Sequence, residues 1–214
     1  IWRKYIVFSI LASALPFSCF AFAGKHIDTA LSAILNGTTP IFVVALAHYF
    51  LPGETLTLRR FFGVFLGCLG FLLILVPTLL DREVGADTWG ILAVGLAALS
   101  YALSMVYARR AFTHKASLSD PASQMLVSCI LMFTIASLFV PTPDFTALSA
   151  KTWLAILGLS VFGTVLASLV YFRIIRRHGA TVLSMATLLL PPLGSIWGYL
   201  FLGETLSITT FIGA

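Results

Sequence analysis

Residues 40–56, PIFVVALAHYFLPGETL, come back near the end of the chain as residues 191–206, PPLGSIWGYLFLGETL. A shift of 151 residues lays Pro40 on Pro191, Phe50 on Phe201 and Leu51 on Leu202. A slip of one residue then lays Gly53-Glu54-Thr55-Leu56 on Gly203-Glu204-Thr205-Leu206. Working outward, the first register also pairs Trp2 with Trp153, Ser9 with Ser160 and Leu15 with Leu166, and the second pairs Phe61 with Phe211 and Gly63 with Gly213. Apolar sequences match one another easily. A polar tetrapeptide that twice follows the same run and twice leads into Phe-x-Gly carries more weight, and points to an internal repeat.

The repeated unit is built for lipid. Of 214 residues, 59% are hydrophobic and 10% charged, and the mean hydropathy is +1.03. A soluble domain carries about 45–50% apolar and about 25% charged residues. A core of this size has too little interior to hide the difference. A bilayer about 30 Å thick requires about 20 helical residues per crossing, and the runs are continuous rather than alternating as in a barrel strand. The fold expected is therefore all-α, a polytopic bundle of transmembrane helices. Seven spans are predicted: Tyr5–Ala23, Thr29–Phe50, Phe61–Leu80, Thr88–Ala108, Ala122–Val140, Trp153–Ile175 and Ala180–Leu202, with an eighth opening near Ile208.

The formal net charge of +5 does not point to nucleic acid, because no basic patch is interleaved with exposed aromatics. Lys and Arg sit in the short connections instead. One set of alternate ends carries Arg3, Lys4, Arg59, Arg60, Arg109, Arg110, Lys115, Arg173, Arg176 and Arg177; the other carries only Lys25, Arg82 and Lys151. The richer set is expected on the cytoplasmic side. Cys19, Cys68 and Cys129 lie inside apolar runs with no metal-ligand spacing, so no metal, cofactor or disulfide framework is expected.

Five spans separate equivalent elements of the repeat. An odd number means that the two copies cross the membrane in opposite directions, an arrangement characteristic of secondary transporters. Residues 1–80 then read as the last three helices of one five-helix repeat, and residues 81–214 as a second repeat with its last helix incomplete. The expectation is a ten-span protein of which two upstream helices lie outside this chain.

These features resemble the drug/metabolite transporter superfamily, EamA type. The resemblance rests on Leu35-Asn36-Gly37-Thr38-Thr39-Pro40 in one span and Leu189-Leu190-Pro191 in its partner, each proline followed 13 or 14 residues later by the glutamate of Gly-Glu-Thr-Leu. The glycine-rich start Phe61-Phe62-Gly63-Val64-Phe65-Leu66-Gly67 adds to it. It covers the whole chain. It implies two inverted five-helix bundles around a central cavity, and export or uptake of small metabolites or drugs; the function expected is transport by alternating access across a cytoplasmic membrane, with export the expected direction. The partners implied are a small-molecule substrate and the lipid bilayer; the oligomeric state stays open.

The residues expected to contact substrate are Asn36, Thr39, Pro40, Ser100, Tyr101, Ser104, Thr164, Ser168, Pro191 and Trp197. Pro40 and Pro191 remove helix hydrogen bonds mid-span. The freed carbonyls either line a cavity or belong to a packed kink. Asn36 is costly in lipid unless it faces the bundle, where it contacts either a substrate or a neighbouring helix. Ser9 and Ser13, and likewise Ser160, Thr164 and Ser168, form small polar stripes at helical spacing, as do Ser100, Ser104 and Tyr107. Close helix packing explains such stripes as well as solute binding does. Gln124 and Ser128 are weaker candidates, and Trp197 reads equally as a cavity wall or a lipid-facing residue.

Two rivals remain. An intramembrane enzyme needs a nucleophile beside a base. Ser160 begins a nucleophile-like motif, but Gly163 falls one place too late for Gly-x-Ser-x-Gly, and the four histidines lie near span ends. A non-transporting membrane subunit or a degenerate fragment is the second rival.

Overall fold

The computed structural model describes residues 2–27, 29–53, 57–58, 61–66, 69, 88–112, 118–139, 148–189 and 193. Every regular element among them is helical. We label them α1 (Trp2–Ala23), α2 (Thr29–Gly37), α3 (Thr39–Phe50), α4 (Thr88–Ala111), α5 (Ser119–Phe139) and α6 (Ala150–Leu189). Four of these, α1, α4, α5 and α6, are long and apolar enough to cross a membrane. Predicted span two is divided at Thr38 into α2 and α3. Residues 61–66 of span three are helical, and most of that span lies outside the described residues, as does span seven beyond residue 189 apart from residue 193.

Aromatic packing fixes the helix directions. Tyr5 and Phe8 at the start of α1 meet Phe112, just past α4, and Phe8 meets Phe172 in α6, with ring centroids 5.1–5.6 Å apart within this group. Asp120, at the start of α5, joins them through the Tyr5 hydroxyl. The starts of α1 and α5, the end of α4 and the end of the long arm of α6 (residues 150–178, ahead of a break at Gly179) therefore share one end of the bundle. That end carries Lys4, Arg109 and Arg176. α1 and α5 run together, with Tyr5, Ser9 and Ser13 hydrogen-bonded in step to Asp120, Gln124 and Ser128. α4 and the long arm of α6 run against them.

The main core fills this basic end: Tyr5, Phe8, Val43, Ala47, Met105, Val106, Phe112, Phe172, Ile175 and Leu183 are among its buried members. A smaller cluster of Ala23, Ile27 and Val94 closes the far end of the α1–α4 contact. There a Cβ on Gly90 would come within 2.6 Å of the Ile27 side chain, so glycine lets the two segments meet.

At 40 residues, α6 would be about 60 Å long if straight, at about 1.5 Å per residue. It is not straight. Gly179 has φ 91 and ψ 178, a conformation essentially reserved for glycine. Thr187 and Ser168, on either side of this break, line the same cavity, so the second arm turns back along the first. Gly179→Ala is expected to cost about 1–3 kcal/mol. Gly95→Ala, in α4 with nothing within 4 Å of the new methyl, is expected to gain up to about 1 kcal/mol from helix propensity. Reversible unfolding in mixed detergent micelles reads both changes.

Two stretches wind as π-helix, Ile10–Ala14 in α1 and Leu159–Leu166 in α6. The 151-residue shift carries residues 10–14 onto 161–165, inside the second stretch. π-turns inside α-helices occur frequently at functional sites.

Candidate functional site

The two π-turns flank a cavity of about 730 Å³. α1 contributes Phe8, Ala12, Ser13 and Phe17; the α2–α3 junction contributes Asn36 and Thr39; α4 contributes Tyr101, Ser104 and Met105. Gln124, Met125, Ser128, Cys129 and Met132 come from α5. α6 supplies Ser160, Gly163, Thr164, Ser168, Tyr171, Phe172 and Thr187, among others. A space of this size suits a small organic molecule.

Proline chemistry shapes one wall. Pro40 has no N–H, so the Asn36 carbonyl loses its usual donor four residues on. The Thr39 hydroxyl replaces it, donating to the Asn36 carbonyl at 2.6 Å, while the Thr38 hydroxyl donates to the Leu35 carbonyl at 2.6 Å. The same substitution occurs in α1. In the π-turn Leu15 N–H bonds the Ile10 carbonyl, so the next donor in the pattern would be residue 16. That residue is proline. The orphaned Leu11 carbonyl instead accepts the Ser100 hydroxyl of α4 at 2.8 Å.

This accounts for where the expected residues fall. Asn36, Thr39, Tyr101, Ser104, Thr164 and Ser168 are on the cavity wall. Ser100 is buried against α1 and spends its hydroxyl on Leu11. Pro40 is buried beside the cavity rather than on its wall. Pro191 and Trp197 lie outside the described residues, and so do Glu54 and Glu204.

The weaker candidates Gln124 and Ser128 are also on the wall, as are Ser13 and Ser160 of the polar stripes; Tyr171 and Thr187 are wall residues that the sequence reading does not single out. The 151-residue shift held a signal for Thr187. The 151-residue shift pairs Ala12 with Gly163, Ser13 with Thr164, Phe17 with Ser168 and Asn36 with Thr187, and all eight residues line the cavity.

Among the described residues the wall is polar without being charged. Gln124 Nε2 donates to Ser128 Oγ at 2.9 Å, and Ser128 Oγ donates to Ser13 Oγ at 3.1 Å, joining α5 to α1. Ser104, Ser160 and Thr187 give their protons to the carbonyls of Tyr101, Ile156 and Ser184 at 2.7–2.8 Å. Phe8, Phe17, Phe172 and three methionines supply the apolar surface, a lining that adapts readily to varied shapes. The Tyr171 hydroxyl is buried, with the Ser104 side chain beside it. Ser160 has no histidine beside it on this wall, and no cluster of three metal-ligating side chains occurs among the described residues.

Residues 1–76 and 88–214 match the EamA-like transporter family. The chain belongs to that family. Over 212 residues it is 24% identical to the uncharacterized transporter YoaV of Bacillus subtilis, covering 99% of this chain and 72% of that protein. It is 30% identical over 220 residues to a chloroplastic WAT1-related protein of Arabidopsis thaliana, of which it spans 52%. The uncharacterized inner membrane transporter YedA of Escherichia coli K12 is 23% identical over 184 residues, covering 86% of this chain and 57% of that one. The chain thus spans between about half and three quarters of the length of these relatives. A solved crystal structure superposes with a TM-score of 0.84 at 20% identity over 100% of this chain and 71% of its own. That likeness bears on the fold alone. Family and relatives place the chain among multi-pass membrane proteins of the transporter kind rather than among enzymes.

Proposed function

We propose that this chain forms part of a secondary carrier that moves small organic solutes across the membrane by alternating access, with export the expected direction. One observation carries the reading: a polar cavity, uncharged among the described residues, is walled by four pairs of residues that the 151-residue shift relates. α1 and the long arm of α6, the partners in that repeat, run in opposite senses. An inverted pair of this kind can exchange roles when the two halves rock about the cavity. Residues 1–80 act as the end of one repeat and 81–214 as the other.

By the positive-inside rule the end with Lys4, Arg109 and Arg176 faces the cytoplasm, with a bacterial inner membrane the expected setting. The aromatic core of Tyr5, Phe8, Phe112 and Phe172 fills that end and lies between the cavity and the cytoplasm. Its separation is the step that opens the site inward. The full-length protein in proteoliposomes should show saturable counterflow for at least one solute in a broad panel of labelled metabolites. Flux equal to that of empty vesicles for the whole panel counts against the carrier and in favour of a non-transporting subunit.

A further inference from the structure

The hydrogen-bond chain that joins α5 to α1 has a direction. Gln124 Nε2 donates to Ser128 Oγ, and Ser128 Oγ donates to Ser13 Oγ. Each end is left with unused capacity. The Gln124 side-chain oxygen accepts no hydrogen bond among the described residues, and the Ser13 hydroxyl donates none. Both residues line the cavity, and the Gln124 oxygen is not sealed within the protein although the residue is 9% exposed. One wall therefore offers an acceptor and a donor, each a single hydrogen bond away from Ser128. Neither end is loose. The Gln124 backbone carbonyl takes the Ser9 hydroxyl at 3.1 Å, and its amide is held by Ser128 one turn on. A group already fixed in place loses little freedom when a ligand arrives, and a donor at the end of a polarised chain is strengthened by the bonds behind it.

We propose that Gln124 and Ser13 form a two-point clamp for a carboxamide edge: the Gln124 oxygen accepts an N–H of the solute, and the Ser13 hydroxyl donates to the carbonyl oxygen beside it. The inference rests on the carrier reading above and names its substrate class, solutes with an N–H next to a carbonyl, as in open-chain amides, lactams and the lactam edges of nucleobases. The two atoms of such an edge share one carbon, so a single solute group reaches both ends of the chain. The remainder of the solute lies against Phe8, Phe172 and Met125 on the same wall. Gln124 is thus a specificity-determining residue. A site built around a hydrogen bond discriminates against the analogue that lacks the partner, because its own polar group is then left unpaired.

Two compounds of the same shape test this: hydrocinnamamide and benzylacetone, which differ only in an amide NH₂ exchanged for a ketone methyl. Each is titrated calorimetrically into the full-length protein in nanodiscs, with empty nanodiscs as the blank. The amide is expected to bind about fivefold to tenfold more tightly than the ketone, the net effect of one hydrogen bond. Gln124→Met removes the acceptor and should abolish that preference. Ser13→Ala removes the donor that both carbonyls use. It should weaken both compounds about fivefold to tenfold and leave their ratio intact. A Gln124 that only holds α5 to α1 would show another pattern, lower stability in Gln124→Met with the amide still preferred. Equal or tighter binding of the ketone, no binding of the amide, a preference that survives Gln124→Met, or unchanged affinities in Ser13→Ala overturns the proposal. The comparison of the two compounds uses the unsubstituted protein and does not depend on either variant folding. Binding reads the clamp and vesicle counterflow reads the carrier, so either can fail alone.

Discussion

Replacing Asp120 by alanine is expected to destabilise the protein by about 3–5 kcal/mol, the cost of opening a buried ion pair from one side. Asp120 is 8% exposed and stands where three helices converge. Its Oδ1 accepts the Tyr5 hydroxyl at 2.6 Å and lies 3.6 Å from Lys4 Nζ, while its Oδ2 pairs with the Arg176 guanidinium. Arg176 also donates from Nε to the Phe112 carbonyl at 3.3 Å and lies over the Phe172 ring. Removing the carboxylate leaves a partly buried guanidinium and a buried phenol without their shared partner.

The contributions are unequal. Lys4 is the most exposed member of the group, and an exposed pair is worth at most about 1 kcal/mol. Lys4→Met should change little. Arg176→Met should cost less than Asp120→Ala, because the carboxylate keeps Tyr5 and Lys4. In the double variant Asp120→Ala with Arg176→Met the two losses should fall short of their sum, since one partner no longer leaves the other stranded. Unfolding in mixed micelles measures each. A cost below about 0.5 kcal/mol for Asp120→Ala, the size of an ordinary surface change, would mean that the cluster does not hold the basic end together.

The helical, membrane-spanning character of the chain could be read from composition and run length, because hydrocarbon tolerates little else. Asn36, Thr39, Tyr101, Ser104, Thr164 and Ser168 stand out in the sequence as polar groups set in apolar runs, and the structure gathers all six around one space. Ser100 shows where that reasoning stops. It shares a stripe with Ser104, but its neighbour is a carbonyl exposed by a π-turn beside Pro16. A π-turn shifts every later side chain by one place around the helix axis, and no residue pattern marks its start. Tyr171 escaped notice for another reason. In an aromatic-rich run its ring looks like core, and only its position tells whether the hydroxyl finds a partner. The Asp120 cluster was equally hidden, since Asp120 and Arg176 read as ordinary loop charges until the bundle brings them together.

Tryptophan at Ser13 or at Thr164 should abolish counterflow while leaving the protein folded. The two positions are partners under the 151-residue shift, and they face one cavity from helices that run in opposite senses. At Thr164, exposed on the wall, filling the cavity tends to be neutral or stabilising. At Ser13, buried and accepting the Ser128 hydroxyl, stability should fall by the cost of that lost bond, about 1 kcal/mol, and the melting temperature with it. In both variants flux should fall to the level of empty vesicles. Phe133→Trp, at a side chain 75% exposed on α5 and away from the wall, should transport normally. Equivalence of the two plugs is the informative part. If the halves interchange during transport, each position forms the same part of the site in one of the two states. A block from either side then arrests the cycle completely. A plug that works at Ser13 but spares flux at Thr164 would leave a cavity without the symmetry that lets one site serve both faces of the membrane.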